Sequence, residues 1–281
     1  MNTPDRRLTP ATERVALDSL QGVLDRPAYV PGTPARLATP IADLLRNPGG
    51  ARERQVNFGA DLTVIDEADG HSFVQAVADG YCGWIASAAL TRDLPRITHR
   101  VAAPATHLYP APEMKQPEDM ALSIGARLSV TDIDGRFARL ADGRFVPAAH
   151  IGDQPATDPA AVALTLLGTP YLWGGNSRAG IDCSGLVQAA LGACGIPCPG
   201  DSDLQRDGFP AVDDIRRNDL LFWPGHVALA LDDRVMVHAT AYVMAVITED
   251  IEQAIARIDR AGEGPFLGAR RPDLAVTPQF P

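Results

Sequence analysis

The chain has 281 residues, 46% of them hydrophobic and 21% charged, which is ample for two or three soluble domains with buried cores and excludes a largely disordered protein. Its formal net charge of -10, with Lys and Arg scattered, excludes nucleic acid or an anionic membrane surface as the main partner. The four cysteines are few and dispersed, the start of the chain has no apolar leader core, and no apolar run reaches the roughly 18 residues of a membrane span, so a cytoplasmic location is expected.

Residues 1–34 read as an N-terminal arm, punctuated by Pro27, Pro31, Gly32 and Pro34. Residues 35–95 alternate in short runs such as R-Q-V-N-F-G, D-L-T-V-I-D-E-A-D-G, S-F-V-Q-A-V and Y-C-G-W-I-A, broken by D-G pairs that are strong hairpin signals. This pattern predicts a small antiparallel β-barrel. Residues 98–152 repeat the scheme, because Ala141-Asp142-Gly143 precedes R-F-V-P-A-A-H-I as Ala78-Asp79-Gly80 precedes Y-C-G-W-I-A; a second barrel is predicted. After a proline-containing linker, Asp158 as N-cap and Pro159 at the first helical position predict a helix that opens the last domain, residues 158–275.

That domain contains Y-L-W-G-G-N-S-R-A-G-I-D-C-S-G-L-V, from Tyr171 to Val187, in which Cys183 stands where a glycine-rich loop becomes an apolar helix. The helix is predicted to run to about Cys194 and to close at Gly195. A thiol at a helix N-terminus is expected to ionise below the free value of ~8.5, which makes Cys183 the candidate nucleophile. Further on, G-H-V-A-L-A-L-D-D-R-V-M-V-H-A predicts a hairpin that sets His226 and His238 on adjacent strands, where one can take the thiol proton and the other can orient the first. His71, His99, His107 and His150 have no companion nucleophile or second ligand and read as structural. Cys194 and Cys198 read as buried thiols, and the chemistry requires no metal or organic cofactor. Ser202 and Gln205 have the spacing of a capping box, and Trp173 is expected to pack the loop.

The set Y-L-W-G-G, G-I-D-C-S-G-L-V, D-L-L-F-W, G-H-V-A and V-H-A, in this order between about Pro159 and Arg271, resembles the NlpC/P60 family of papain-like cysteine peptidases. G-Y-C-G-W-I resembles the end of a bacterial SH3 domain. The resemblance implies an α+β fold, with a papain-like catalytic domain preceded by two SH3-like antiparallel β-barrels. It implies Cys183 as nucleophile, His226 as base and His238 as the orienting residue. One departure is Asn218, where the family usually has Gly before Asp-Leu; Asn also tolerates left-handed backbone.

A tetrahedral oxyanion would be held by the Cys183 N–H and a second donor, for which Tyr171 is the candidate. Asp182 reads either as the helix N-cap or, with Ser184, as part of a segment that in SH3-bearing relatives recognises a free peptide amine. The same resemblance adds Tyr81, by its place in G-Y-x-G-W, and an upstream acid, chosen as Glu53. The implied substrate is a murein-derived stem peptide with a free N-terminal L-Ala, cut between γ-D-Glu and the diamino acid to release L-Ala-D-Glu during wall-peptide recycling. An exported wall hydrolase with wall-binding SH3 domains is the alternative, followed by a dead peptidase used for binding and a thiol acyltransferase or amidase. Neither the diamino acid nor the oligomeric state is written in the sequence.

Overall fold

The computed structural model describes residues 5–275, so the first four residues of the arm lie outside the described residues. The described residues divide into two compact units, one made of residues 5–98, 107–122 and 126–148, the other of residues 99–106, 123–125 and 149–275.

In the first unit a seven-stranded antiparallel sheet is built from β1 (Thr33–Leu37), β2 (Ile41–Leu45), β3 (Arg52–Asn57), β4 (Asp61–Ala68), β5 (His71–Ala76), β6 (Cys82–Ala86) and β7 (Leu90–Thr91), in the order β3-β2-β6-β5-β4-β1-β7. The Asp69-Gly70 pair between β4 and β5 has φ of 50° and 73°, the positive values that a tight hairpin turn demands. Alternate residues point inward, and Leu37, Leu44, Leu62, Val74, Tyr81 and Ile85 form the core. The arm is not loose: Val15–Leu17 pairs in parallel with Ala28–Val30, and Val15, Leu17 and Val30 pack against Ile65, Phe73 and Cys82. Arg14 and Thr12 both bond the Asp66 carboxylate, each at 2.8 Å.

Residues 98–152 differ from the expected single barrel. Val130–Asp134, Phe137–Leu140 and Phe145–Pro147 form a three-stranded meander in the first unit, while residues 99–106, 123–125 and 149–152 belong to the second. The repeated turn is nevertheless the same: Asp79 accepts from the N–H of Tyr81 at 3.1 Å and Asp142 from that of Arg144 at 3.0 Å, each followed by a glycine with positive φ.

The second unit holds a six-stranded antiparallel sheet of β8 (Ala211–Val212), β9 (Leu220–Trp223), β10 (His226–Ala230), β11 (Val235–Thr240), β12 (Ala245–Asp250) and β13 (Ala269–Arg270), ordered β8-β13-β9-β10-β11-β12. Helices α1 (Pro159–Leu164), α2 (Cys183–Ala193), α3 (Ser202–Gly208) and α4 (Ile251–Ala261) complete it. The strands are apolar on both faces. Phe222, Val227, Leu229 and Val237 pack with Leu186, Val187, Ala190 and Leu191 of α2, whereas Leu221, Ala228 and Met236 pack with Ile251, Ala254 and Ile258 of α4. Among the described residues no helix is long and apolar enough to cross a membrane.

Asp158 is the N-cap of α1, but its side chain pairs with Arg217 at 2.7 Å instead of capping. The cap is supplied by Asn218, whose Oδ1 accepts from the Ala160 N–H at 2.8 Å while its backbone sits at φ 74°. An Asn at this position thus does two tasks that a Gly could only half perform.

Candidate active site

The start of α2 is fixed by one carboxylate. Asp182 Oδ1 accepts from the Gly185 N–H at 2.7 Å and from Ser184 Oγ at 2.9 Å, and its Oδ2 accepts from the Gly174 N–H at 2.8 Å. Asp182 is therefore the N-cap and ties the glycine-rich loop to the helix. Gly185 and Gly175 are required by close packing, since a Cβ on the former would collide with the Gly175 carbonyl and one on the latter with the Gly180 carbonyl. Tyr171 enters from the same side: it bridges to Ile181 and its N–H donates to the Met244 carbonyl at 2.9 Å. Trp173, expected to pack the loop, is instead 67% exposed.

Cys183 is the first residue of α2 and only 7% exposed. Its Sγ lies 4.0 Å from the carbonyl oxygen of Gly225, the residue bonded to His226. Burial pushes the thiol up to about 12, with the Asp182 charge adding to it; the N–H groups of Val227, Ser184 and Cys183 itself pull the other way and are outweighed. The expectation of a thiol ionised by the helix terminus is thus corrected: loss of water costs the anion more than the helix end returns.

His226 opens β10, and its Nε2 is 2.9 Å from Nδ1 of His238 on the adjacent β11. The predicted hairpin is formed, with Asp232 Oδ1 accepting from the N–H groups of Arg234 and Val235 at 2.8 and 2.7 Å to make its turn. Burial lowers His226 to about 3; His238 and Arg257 lower it further and Glu249 opposes them. Thiol and imidazole therefore rest as a neutral pair. Trp223 lies beside His226 with ring centroids 5.7 Å apart and planes tilted by 44°, and is backed by Phe266 at 5.1 Å. Tyr171 is half-buried, and its hydroxyl is held protonated by burial and by the nearness of Cys183 and Asp182.

Two features escaped the sequence reading. Gln205 caps nothing: it is fully buried and its Nε2 donates to the carbonyls of Ser184, Pro199 and Gly200 at 3.0, 3.1 and 3.2 Å, linking α3 to the first turn of α2. Glu249 on β12 reaches 3.1 Å from His238 Nε2 and is clamped by Arg257 of α4 at 2.9 and 2.8 Å. Glu249 has no spacing that marks it, and the spacing of Gln205 points to a helix cap it does not form, because both act across elements distant in sequence.

In the first unit Tyr81 is a core residue, 1% exposed, with the Arg54 guanidinium 4.9 Å above its ring. Glu53 is held by both terminal nitrogens of Arg6, from the arm.

A profile of the NlpC/P60 family matches residues 168–257, and one of the bacterial dipeptidyl-peptidase Sh3 domain matches residues 44–90. Dipeptidyl-peptidase 6 of Lysinibacillus sphaericus is 45% identical over 82 residues, 28% of this chain and 30% of that protein. The gamma-D-glutamyl-L-lysine dipeptidyl-peptidase of Bacillus cereus is 28% identical over 225 residues, 66% of this chain and 67% of that one. The chain thus spans between 30% and 67% of the length of these two relatives. Its fold is similar to the crystal structure of an NlpC/P60 family protein from Bacillus cereus, with a TM-score of 0.72 at 23% identity over 85% of this chain and 99% of that one. With residues 168–257 matched by the one profile and residues 44–90 by the other, the chain carries an NlpC/P60 cysteine-peptidase domain preceded by a bacterial SH3 domain.

Proposed function

We propose that the protein hydrolyses the bond between γ-D-Glu and the diamino acid of murein-derived stem peptides with a free N-terminal L-Ala, releasing L-Ala-D-Glu for wall-peptide recycling. The observation that carries this reading is Cys183 at the start of α2 beside the His226–His238 pair, in a domain related to gamma-D-glutamyl dipeptidyl-peptidases. His226 Nε2 is committed to His238, so Nδ1 is the atom that takes the proton from Sγ as sulfur attacks the γ-carbonyl carbon. The Cys183 N–H and the Tyr171 hydroxyl receive the developing oxyanion. The imidazolium returns its proton to the departing amine of the diamino acid and leaves a thioester on Cys183. Water, deprotonated by the same nitrogen, cleaves the thioester, frees the dipeptide carboxyl and restores the thiol.

Asp182 and Ser184, at the start of α2, are the residues proposed to favour a free amine. The test is hydrolysis of L-Ala-γ-D-Glu-diaminopimelate against its N-acetylated twin, followed by product mass, with Cys183→Ala as blank. Cleavage of the free-amine peptide alone supports the proposal. Equal cleavage of both peptides removes amine selection and favours a hydrolase of intact wall. Cleavage of neither sinks the murein assignment.

A further inference from the structure

We infer that Glu249, held by Arg257, is a positioning residue that fixes the proton arrangement of the two histidines and stabilises the imidazolium formed when Cys183 reacts. The inference rests on the reading of Cys183 and His226 as nucleophile and base.

His238 is wholly buried and, among the described residues, its Nε2 has no linear hydrogen-bond partner, yet Glu249 Oε2 stands 3.1 Å away. The approach is off the N–H axis, so it acts as a charge contact. Its sign is unambiguous, because a carboxylate oxygen repels a bare ring nitrogen and attracts an N–H. With the proton on Nε2, a neutral His238 presents a bare Nδ1 that accepts from His226 Nε2–H at 2.9 Å, which leaves the His226 Nδ1 lone pair for the thiol. The opposite arrangement would put an N–H against Sγ and provide no base. Arg257 holds Glu249 by two parallel bonds, from Nε and Nη2, and its guanidinium in turn lies 4.3 Å from the centroid of the Tyr242 ring. Glu249 is lowered to about 2, first by Arg257 and then by His238, so it remains ionised throughout the working range.

The charged and titratable groups around this relay are His226 of β10, His238 of β11, Tyr242 of the following turn, Glu249 of β12, Arg257 of α4 and Glu263 beyond it. The charge acting directly on the thiol is that of Asp182, so Glu249 works through the imidazoles.

The experiment compares Glu249→Gln, Glu249→Asp and His226→Ala with wild type. It measures the pH dependence of Cys183 alkylation by iodoacetamide, located by peptide mass, together with kcat and KM on the free stem peptide. Glu249→Gln is expected to lower kcat on the order of 10- to 100-fold with KM little changed, and to move the alkylation midpoint to higher pH. Glu249→Asp is expected to recover part of both. Wild-type kcat and an unmoved midpoint in folded Glu249→Gln, with His226→Ala inactive, would overturn the inference while leaving the site intact. A loss of thermal stability with an unmoved midpoint would overturn it equally, as a purely structural role. If His226→Ala alkylates and turns over like wild type, the nucleophile–base reading itself fails.

Discussion

Burial sets the acid–base character of this site at the level of single residues. His226 is held at about 3 in the fold against an ordinary 6.5, so between those pH values the unfolded chain binds the extra proton and acid favours unfolding. Glu249 loses its contribution only as pH falls from its ordinary 4.5 toward 2. The stretch from 6.5 to 4.5 therefore belongs to His226, and thermal melts of Cys183→Ala with and without His226→Gln are expected to show a shallower fall of Tm over that range in the double variant. Equal slopes would mean that His226 is not held neutral. At the alkaline end Cys183, raised from 9.0 to about 12, makes the fold lose stability as pH climbs past 9, because the unfolded thiol ionises first. Cys183, His226 and His238 were legible in the sequence because each stands at a marked position, a helix start or a strand paired with its neighbour. The ionisation of Cys183 was not legible, since desolvation depends on what covers the thiol.

At the scale of elements, the start of α2 joins positioning to stability. Asp182→Ala removes three accepted hydrogen bonds and is expected to cost about 0.5–2 kcal/mol, whereas Asp182→Asn keeps a capping oxygen and costs less. An Asn variant that melts like wild type yet no longer distinguishes the free from the acetylated peptide would show that the carboxylate serves the substrate as well as the helix. Gly185→Ala forces a methyl into the Gly175 carbonyl and is expected to destabilise by about 1–3 kcal/mol, with a parallel fall in kcat as Cys183 shifts. Chemical denaturation at constant m-value would measure it, and an unchanged midpoint would refute the close packing. The end of α2 was readable from its cap, since Gly195 follows the helix at φ 72°. The apparent capping box of α3 misled because three carbonyls around Gln205 needed a donor, a demand created by packing and invisible in the local spacing.

At the scale of the whole molecule, turns were more readable than sheets. The Asp-Gly repeats foretold matching turns at Asp79 and Asp142, but strand pairing is settled by which apolar faces find cover, and residues 98–152 are shared between the two units. Net charge is a property that the sequence states outright, and it bears on substrate encounter. A chain of -10 repels an anionic peptide at low ionic strength. L-Ala-γ-D-Glu-diaminopimelate carries one net negative charge at neutral pH, whereas the lysine peptide carries none, because lysine lacks the second carboxylate. For the diaminopimelate peptide kcat/KM is therefore expected to rise by up to about threefold as salt goes from roughly 0.01 to 0.1 M, over which the screening length shrinks from about 30 to 10 Å. The lysine peptide should show little change under the same conditions. A fall with salt for the diaminopimelate peptide would mean that a local cation at the cleft governs encounter and overrides the charge of the whole chain.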